Sequence, residues 1–285
     1  MISPSITGDI EGDLKRVIEE LDAEAKSASR HITFLRKWVL PLASVAIVWE
    51  AVAHLANLNP QLFPPVETVV QTFWRLLLNG VLIQSALQTL WRIGIGWSIA
   101  SVLGVVLGFL MFRSLIVQDM LLPLIGFLLP IPSIALIPIF VLWFGLGSMP
   151  IVVLVSFSAL LPTMLNTWTG MRGINPVLIK AAQAMNVRGV TLFRKVVLPG
   201  SVPGVMSGLR LGLAQAWRAA IAGEMIAGIT HGLGVMIFDA QQFIQSDVML
   251  ATLLVIGPMG MFLERVLFQT VERRTIEKWG MTRRV

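Results

Sequence analysis

The chain of 285 residues is 55% hydrophobic and only 13% charged, with a mean hydropathy of +0.79, which excludes an ordinary water-soluble domain and makes a bilayer its natural solvent. A formal charge of +6 does not make it a nucleic-acid binder, since that needs a basic face on a soluble scaffold, and membrane topology accounts for the excess of Lys and Arg. With no cysteine, disulfides, thiolate nucleophiles and thiolate metal sites are excluded.

Residues 1–33 form a first segment. Within it, residues 1–29 carry seven acids against Lys15, Arg16 and Lys26 and have no uninterrupted apolar core, so this is not a signal peptide. Ile10, Leu14, Val17 and Leu21 recur at helical spacing, which predicts a short amphipathic helix at the cytoplasmic surface, either solvated or interfacial or in contact with a partner. Apolar runs then predict six transmembrane helices near 34–57, 86–112, 118–145, 149–170, 201–227 and 247–268, together a transmembrane domain over 34–268, with a tail at 269–285. Arg36, Lys37, Arg113, the acid-free basic segment 171–200 and the basic tail all fall on one side. The positive-inside bias makes that side, with both termini, cytoplasmic.

In the first span Glu50 and His54 are one helical turn apart and predict a polar pair; two ligands are too few for a metal site. Pro60, Pro64 and Pro65 lead into Val66, Val69, Val70, Phe73 and Leu77, the spacing of a helix lying in the interface. The second span opens near Arg92, beside Trp91, which could attract anions or anchor the interface. Further along, Ala100, Gly104 and Gly108 make a small-residue stripe for close helix packing. The third span carries Pro123, Pro130, Pro132 and Pro138, each removing a backbone donor. Broken backbone at membrane depth is tolerated where it is packed in protein or faces water, so Pro130, Pro132 and Ser133 either border a solute path or mark a packing kink.

Between the fourth and fifth spans, Asn175 followed by Pro176 is an N-cap with proline at the first helical position, so a short helix is expected to run to about Met185. Asn186, tolerant of left-handed backbone, ends it. A second short helix through Leu192, Phe193 and Val196 is expected to stop before Pro199. Such a helix pair outside the bilayer invites a protein partner. The fifth span carries Gly204, Gly208, Gly212, Ala216 and Ala220 as a second stripe, packing within or between subunits. It also carries Arg210, Gln215, Arg218 and Glu224, polar groups that must face protein or water. Arg210 and Glu224 lie about 21 Å apart along the axis and cannot pair; each is a pathway candidate, with snorkelling or an ion pair to another span as the alternative. Arg218 is the preferred charge for an anionic solute.

Lys180-Ala181-Ala182, Asn186, Phe193, Val196 and Leu198-Pro199 resemble the cytoplasmic EAA loop of ABC importer permeases, with Lys180 where that family usually has Glu and Asn186 where it usually has Gly. The resemblance continues over roughly residues 60–280 through Phe63-Pro64-Pro65, Pro130-Ile131-Pro132, Ala135-Leu136-Ile137-Pro138, Trp143-Phe144-Gly145, Gly208-Leu209-Arg210, Glu224-Met225-Ile226 and Gly232-Leu233-Gly234. It is similar to the branch that imports nitrate, taurine, aliphatic sulfonates and bicarbonate. The resemblance implies an all-α type I importer (MetI-like) fold in a bacterial inner membrane. It further implies a coupling helix docking on an ATPase through Pro176, Lys180, Ala181, Ala182, Met185, Asn186, Phe193, Leu198 and Pro199. The implied partners are a second permease copy as a homodimer, two cytoplasmic ATPase subunits and an external solute-binding protein, with no nucleic acid.

No phosphate-binding G-x-x-x-x-G-K-[ST] loop occurs, so ATP and Mg belong to the ATPase subunits, and no cofactor, metal or catalytic residue is assigned to this chain. Two other readings differ in what they require. A self-contained secondary transporter would use membrane carboxylates for ion coupling and need no docking loop. A membrane enzyme would need clustered nucleophiles or metal ligands, whereas the three histidines, His31, His54 and His231, fall in separate regions.

Overall fold

The computed structural model describes residues 40–55 and 59–275, and every regular element among them is helical. The expected amphipathic segment 1–33, the first residues of the first span and the end of the tail lie outside the described residues.

The chain divides into two compact units, Met1–Thr68 and Val69–Val285. In the first, the apolar helix α1 (Leu40–Leu55) ends in a polar knot. The Trp49 ring stacks on Phe63 with centroids 4.0 Å apart, and its indole N–H donates to Pro64 O at 2.9 Å. The expected Glu50–His54 pair forms at 2.7 Å, while the second Glu50 oxygen accepts from the Val66 amide at 2.8 Å. Val66 opens α2 (Val66–Leu78), so Glu50 satisfies an amide that the first turn of a helix leaves without an intrahelical acceptor.

In the second unit, the remainder of α2 buries Val69 and Thr72 and exposes Trp74 and Leu78; Val70, read from its spacing as part of the apolar stripe, is exposed as well. There follow α3 (Val81–Arg113), α4 (Leu115–Leu128), a 3-10 turn (Ser133–Leu136), α5 (Ile137–Phe144), α6 (Ser148–Arg172), α7 (Pro176–Ala184), α8 (Gly189–Leu192), a π-helical turn (Phe193–Val197), α9 (Leu198–Glu224), α10 (Leu233–Gln242) and α11 (Ser246–Thr275).

Helix α6 is the axis of this unit, and both small-residue stripes pack against it. On the α3 side, a Cβ placed on Gly104 would fall 2.8 Å from the Thr163 Cβ, and one on Gly108 would fall 2.7 Å from the Met164 carbonyl oxygen. On the α9 side, Gly208 lies against Asn166 and Thr163, and the backbones of Gly170 and Gly204 touch. Glycine is required here by close approach rather than by turn geometry. Without a hydrophobic driving force between helices in lipid, such contact is what holds them together. The Thr163 hydroxyl, fully buried between the two stripes, reaches Ala159 O at 2.7 Å and Gly208 O at 3.2 Å. Ile93, Ile137, Ile151, Leu154, Val155 and Leu213 close an apolar core above it.

Four described helical stretches are long and apolar enough to cross a bilayer, residues 81–113, 148–172, 189–224 and 246–265. The third expected span is not one rod. Its halves, 115–128 and 133–144, are bent by 95° at the Pro130–Pro132 break and make a fifth candidate. For the first expected span, the described 16 residues rise about 24 Å, against about 30 Å of hydrocarbon.

One further expectation is corrected. The second cytosolic helix does not stop before Pro199: its π-helical turn lets the Leu198 amide bond back to Phe193 O, and the chain continues through the proline into α9. Proline is tolerated because it sits in the first turn of α9, where its missing N–H costs least. Helix α10 begins at Leu233, within the Gly232-Leu233-Gly234 segment, between the fifth and sixth expected spans.

Candidate functional site

The break in the third span positions the wall of a cavity. With the Pro130 and Pro132 amides missing, the turn is carried by Ile131 N–H to Leu128 O at 3.1 Å and Ala135 N–H to Pro132 O at 2.9 Å. This turn faces Phe157, Ser158 and Leu161 of α6 and Gln215, Arg218 and Ala222 of α9 across a hollow of about 390 Å³, the size of a small-ligand site.

Most of its lining is aliphatic or aromatic; the polar groups are Ser133, Ser158, Gln215 and Arg218. Ser158 spends its proton on Leu154 O at 2.7 Å. Arg218 donates Nε to Ala214 O at 3.2 Å and enters no ion pair among the described residues, so its terminal nitrogens remain available to the hollow. An exposed guanidinium against apolar walls is chemically able to hold an anion, because it offers paired donors and a fixed charge.

Five of the seven expected pathway residues, Pro130, Pro132, Ser133, Gln215 and Arg218, therefore line one cavity. The other two lie elsewhere. Arg210 donates twice to one oxygen of Glu264 of α11, Nη2 to Oε1 at 2.9 Å and Nε to the same oxygen at 3.1 Å. Glu224 is 1% exposed and pairs with Arg92 at 2.7 Å. Arg92 is thus neither an interface anchor nor an open anion attractor, for its guanidinium is enclosed and its charge met.

The second candidate surface is the α7 segment. Asn175 Oδ1 accepts from the Val177 amide at 2.9 Å, Pro176 stands in the first turn, and Asn186 takes φ +61, so the helix begins and ends as its sequence reads. Beneath it, Met171, Ile174 and Val197 form a small apolar core with Phe109, Phe112, Ile179 and Phe193, the Phe109 and Phe193 rings 4.7 Å apart. The nine residues expected to couple divide accordingly. Pro176, Lys180, Ala181, Met185 and Asn186 face outward, and Leu198 is also exposed; Pro199 is half-buried; Ala182 and Phe193 turn inward and fix the segment to the bundle. Val177, Leu178 and Val190 join Met185 as exposed apolar residues, which sequence reading did not single out.

Sequence reading also passed over Thr89 and Ser148. Thr89 donates to Glu224 Oε2 at 2.9 Å and Ser148 Oγ accepts from Arg92 Nε at 3.0 Å. Neither hydroxyl carries a motif, and their partners are distant in sequence.

A family model described as "Binding-protein-dependent transport system inner membrane component" matches residues 100–276. A putative ABC transporter permease protein of Methanocaldococcus jannaschii is 35% identical over 230 residues, covering 79% of this chain and 85% of the relative. A putative aliphatic sulfonates transport permease protein of Escherichia coli is 34% identical over 223 residues, covering 78% of this chain and 84% of the relative. Among solved structures, a chain of the inward-facing MetNI methionine ABC transporter superposes with a TM-score of 0.60 at 18% identity over 68% of this chain and 96% of the other, a likeness of fold.

Proposed function

The chain belongs to the family of binding-protein-dependent transport system inner membrane components, and from that premise we propose that it moves a small anion through the cavity between the broken α4–α5 pair, α6 and α9. As a family member it is a multi-pass membrane permease of an ABC transporter, working with ATPase and solute-binding subunits, and not an enzyme. The observation that carries the finer reading is Arg218, an arginine on a membrane helix with no carboxylate partner among the described residues and an aliphatic hollow before it. The ionised group is costly in lipid, on the order of 2.5–3.5 kcal/mol, so a water-filled path or an anion is its natural complement.

The permease named for aliphatic sulfonates supports a sulfonate among the candidates, beside nitrate, taurine and bicarbonate. The outward face of α7 is the proposed docking site for an ATPase subunit that holds ATP and Mg. Two copies of this chain, with two ATPase subunits and an external binding protein, make the proposed assembly in a bacterial inner membrane, with both termini and α7 on the cytoplasmic side. The positive-inside distribution supports that orientation.

The test is ATP-dependent uptake of radiolabelled taurine and short alkanesulfonates by the assembled complex carrying Arg218→Met or Arg218→Lys. Losing a charge-assisted contact of about 1.5–3 kcal/mol predicts uptake reduced about 10- to 100-fold by Arg218→Met and much less by Arg218→Lys. Undiminished uptake by Arg218→Met would remove Arg218 from the path.

A further inference from the structure

Glu224 is the last residue of α9, and its carboxylate gathers donors from two other helices. Oε1 accepts from Arg92 Nη1 of α3 at 2.7 Å; Oε2 accepts from Thr89 Oγ1 of α3 and from the Gly234 amide of α10, both at 2.9 Å. Thr89 Oγ1 in turn accepts from the Leu233 amide at 3.0 Å, and Arg92 Nη1 also donates to His231 O at 2.9 Å. Helix α10 has no capping side chain of its own, so its first amides are satisfied by Glu224 and Thr89. The negative charge there also complements the helix dipole.

The intervening Gly-Leu-Gly segment is built for this contact. A Cβ on Gly232 would fall 2.6 Å from the Glu224 carboxyl carbon, and one on Gly234 would collide with the Ile221 carbonyl. Both charges are almost fully enclosed, Arg92 at 3% and Glu224 at 1% exposure. A buried pair is often no more stabilising than an apolar pair of the same shape, yet removing one partner strands the other charge away from water, so its distinctive contribution is to fix one arrangement.

What it fixes is the end of the longest continuous helical path in the unit. From Gly189 to Glu224 the chain is helical throughout; the path starts beside the docking segment, passes Gln215 and Arg218 at the cavity, and ends at this carboxylate. We propose that Arg92 and Glu224 are positioning residues for transport: they bind the far end of α9, the start of α10 and α3 into one body, so that displacement begun at the α7 segment is delivered intact to α10. The wall that moves relative to α9 is then the broken α4–α5 pair.

The cysteine-free chain allows paired spin labels in the complete permease–ATPase complex. Leu87→Cys on α3 with Phe243→Cys just after α10 reports on the tie, and Phe127→Cys on α4 with Leu211→Cys on α9 reports on the cavity wall, all four positions being exposed. MgATP with vanadate is the probe. The α3–α10 distance should stay narrow and unchanged on trapping while the α4–α9 distance shifts. Glu224→Gln, and independently Gly232→Ala, which keeps both charges but displaces the carboxylate, should widen the trapped α3–α10 distribution roughly twofold as the local tie opens, with the α4–α9 shift retained. A role confined to folding would not make that widening depend on nucleotide. An α3–α10 distance that shifts in the unaltered chain as much as the α4–α9 distance would overturn the proposal, as would unchanged widths in both variants. Failure of both variants to assemble would make the pair a folding element and overturn it equally.

Discussion

At the scale of single residues, the positions that decide this molecule are those where a methyl group or a charge has no room to be elsewhere. Gly104 is one: its neighbours across the helix contact are the Thr163 side chain and the Leu160 carbonyl oxygen, the latter 3.2 Å from any added Cβ. Gly104→Val is expected to destabilise by about 1–3 kcal/mol through overpacking, read as a lower melting temperature of the purified permease; an unchanged melting temperature would mean that α3 and α6 do not rely on this contact. The stripe itself was legible, because small residues every fourth position mark a helix face. Its partner was not, since spacing identifies the face but not the helix it meets. The same limit explains the charges. Glu224 and Arg210 stood out as expensive groups in an apolar run, but their partners lie 132 and 54 residues away, and same-helix spacing is silent on such pairs.

At the scale of elements, α7 and the broken third span separate what sequence can say from what packing decides. The start and stop of α7 were readable because Asn175, Pro176 and Asn186 act on their own backbone within a turn. Which residues face a partner was not, since that depends on the aromatic floor supplied by Phe109, Phe112 and Phe193. The consequence is a contrast between two substitutions. Met185→Asp, on the outward face, should lower ATP-driven uptake about tenfold or more by placing a charge in an apolar contact, while the isolated permease melts as before. Ala182→Glu, at a site only 5% exposed, should instead loosen α7 from the bundle and lower the melting temperature. If both behave alike, the division of α7 into an inner and an outer face is wrong. In the third span the prolines announced a break, but neither its 95° bend nor its place in the lining of the hollow was readable from them.

At the scale of the whole molecule, a helical path links an exposed apolar surface beside α7 to a solute-sized hollow and then to a buried tie, the connected architecture that a motor-driven permease needs. Among the described residues, Val177 and Leu178 on α7 and Met185 at its end are exposed, consistent with the proposed engagement by ATPase subunits. The measurement that tests this most directly is cross-linking from one introduced cysteine, Met185→Cys, in membranes containing the complete transporter. The account predicts that it cross-links to the ATPase subunit, that ATP changes the yield, and that a membrane-impermeant maleimide reaches it only from the cytoplasmic face. Labelling from the opposite face, or no ATPase adduct in an assembled complex, would contradict it.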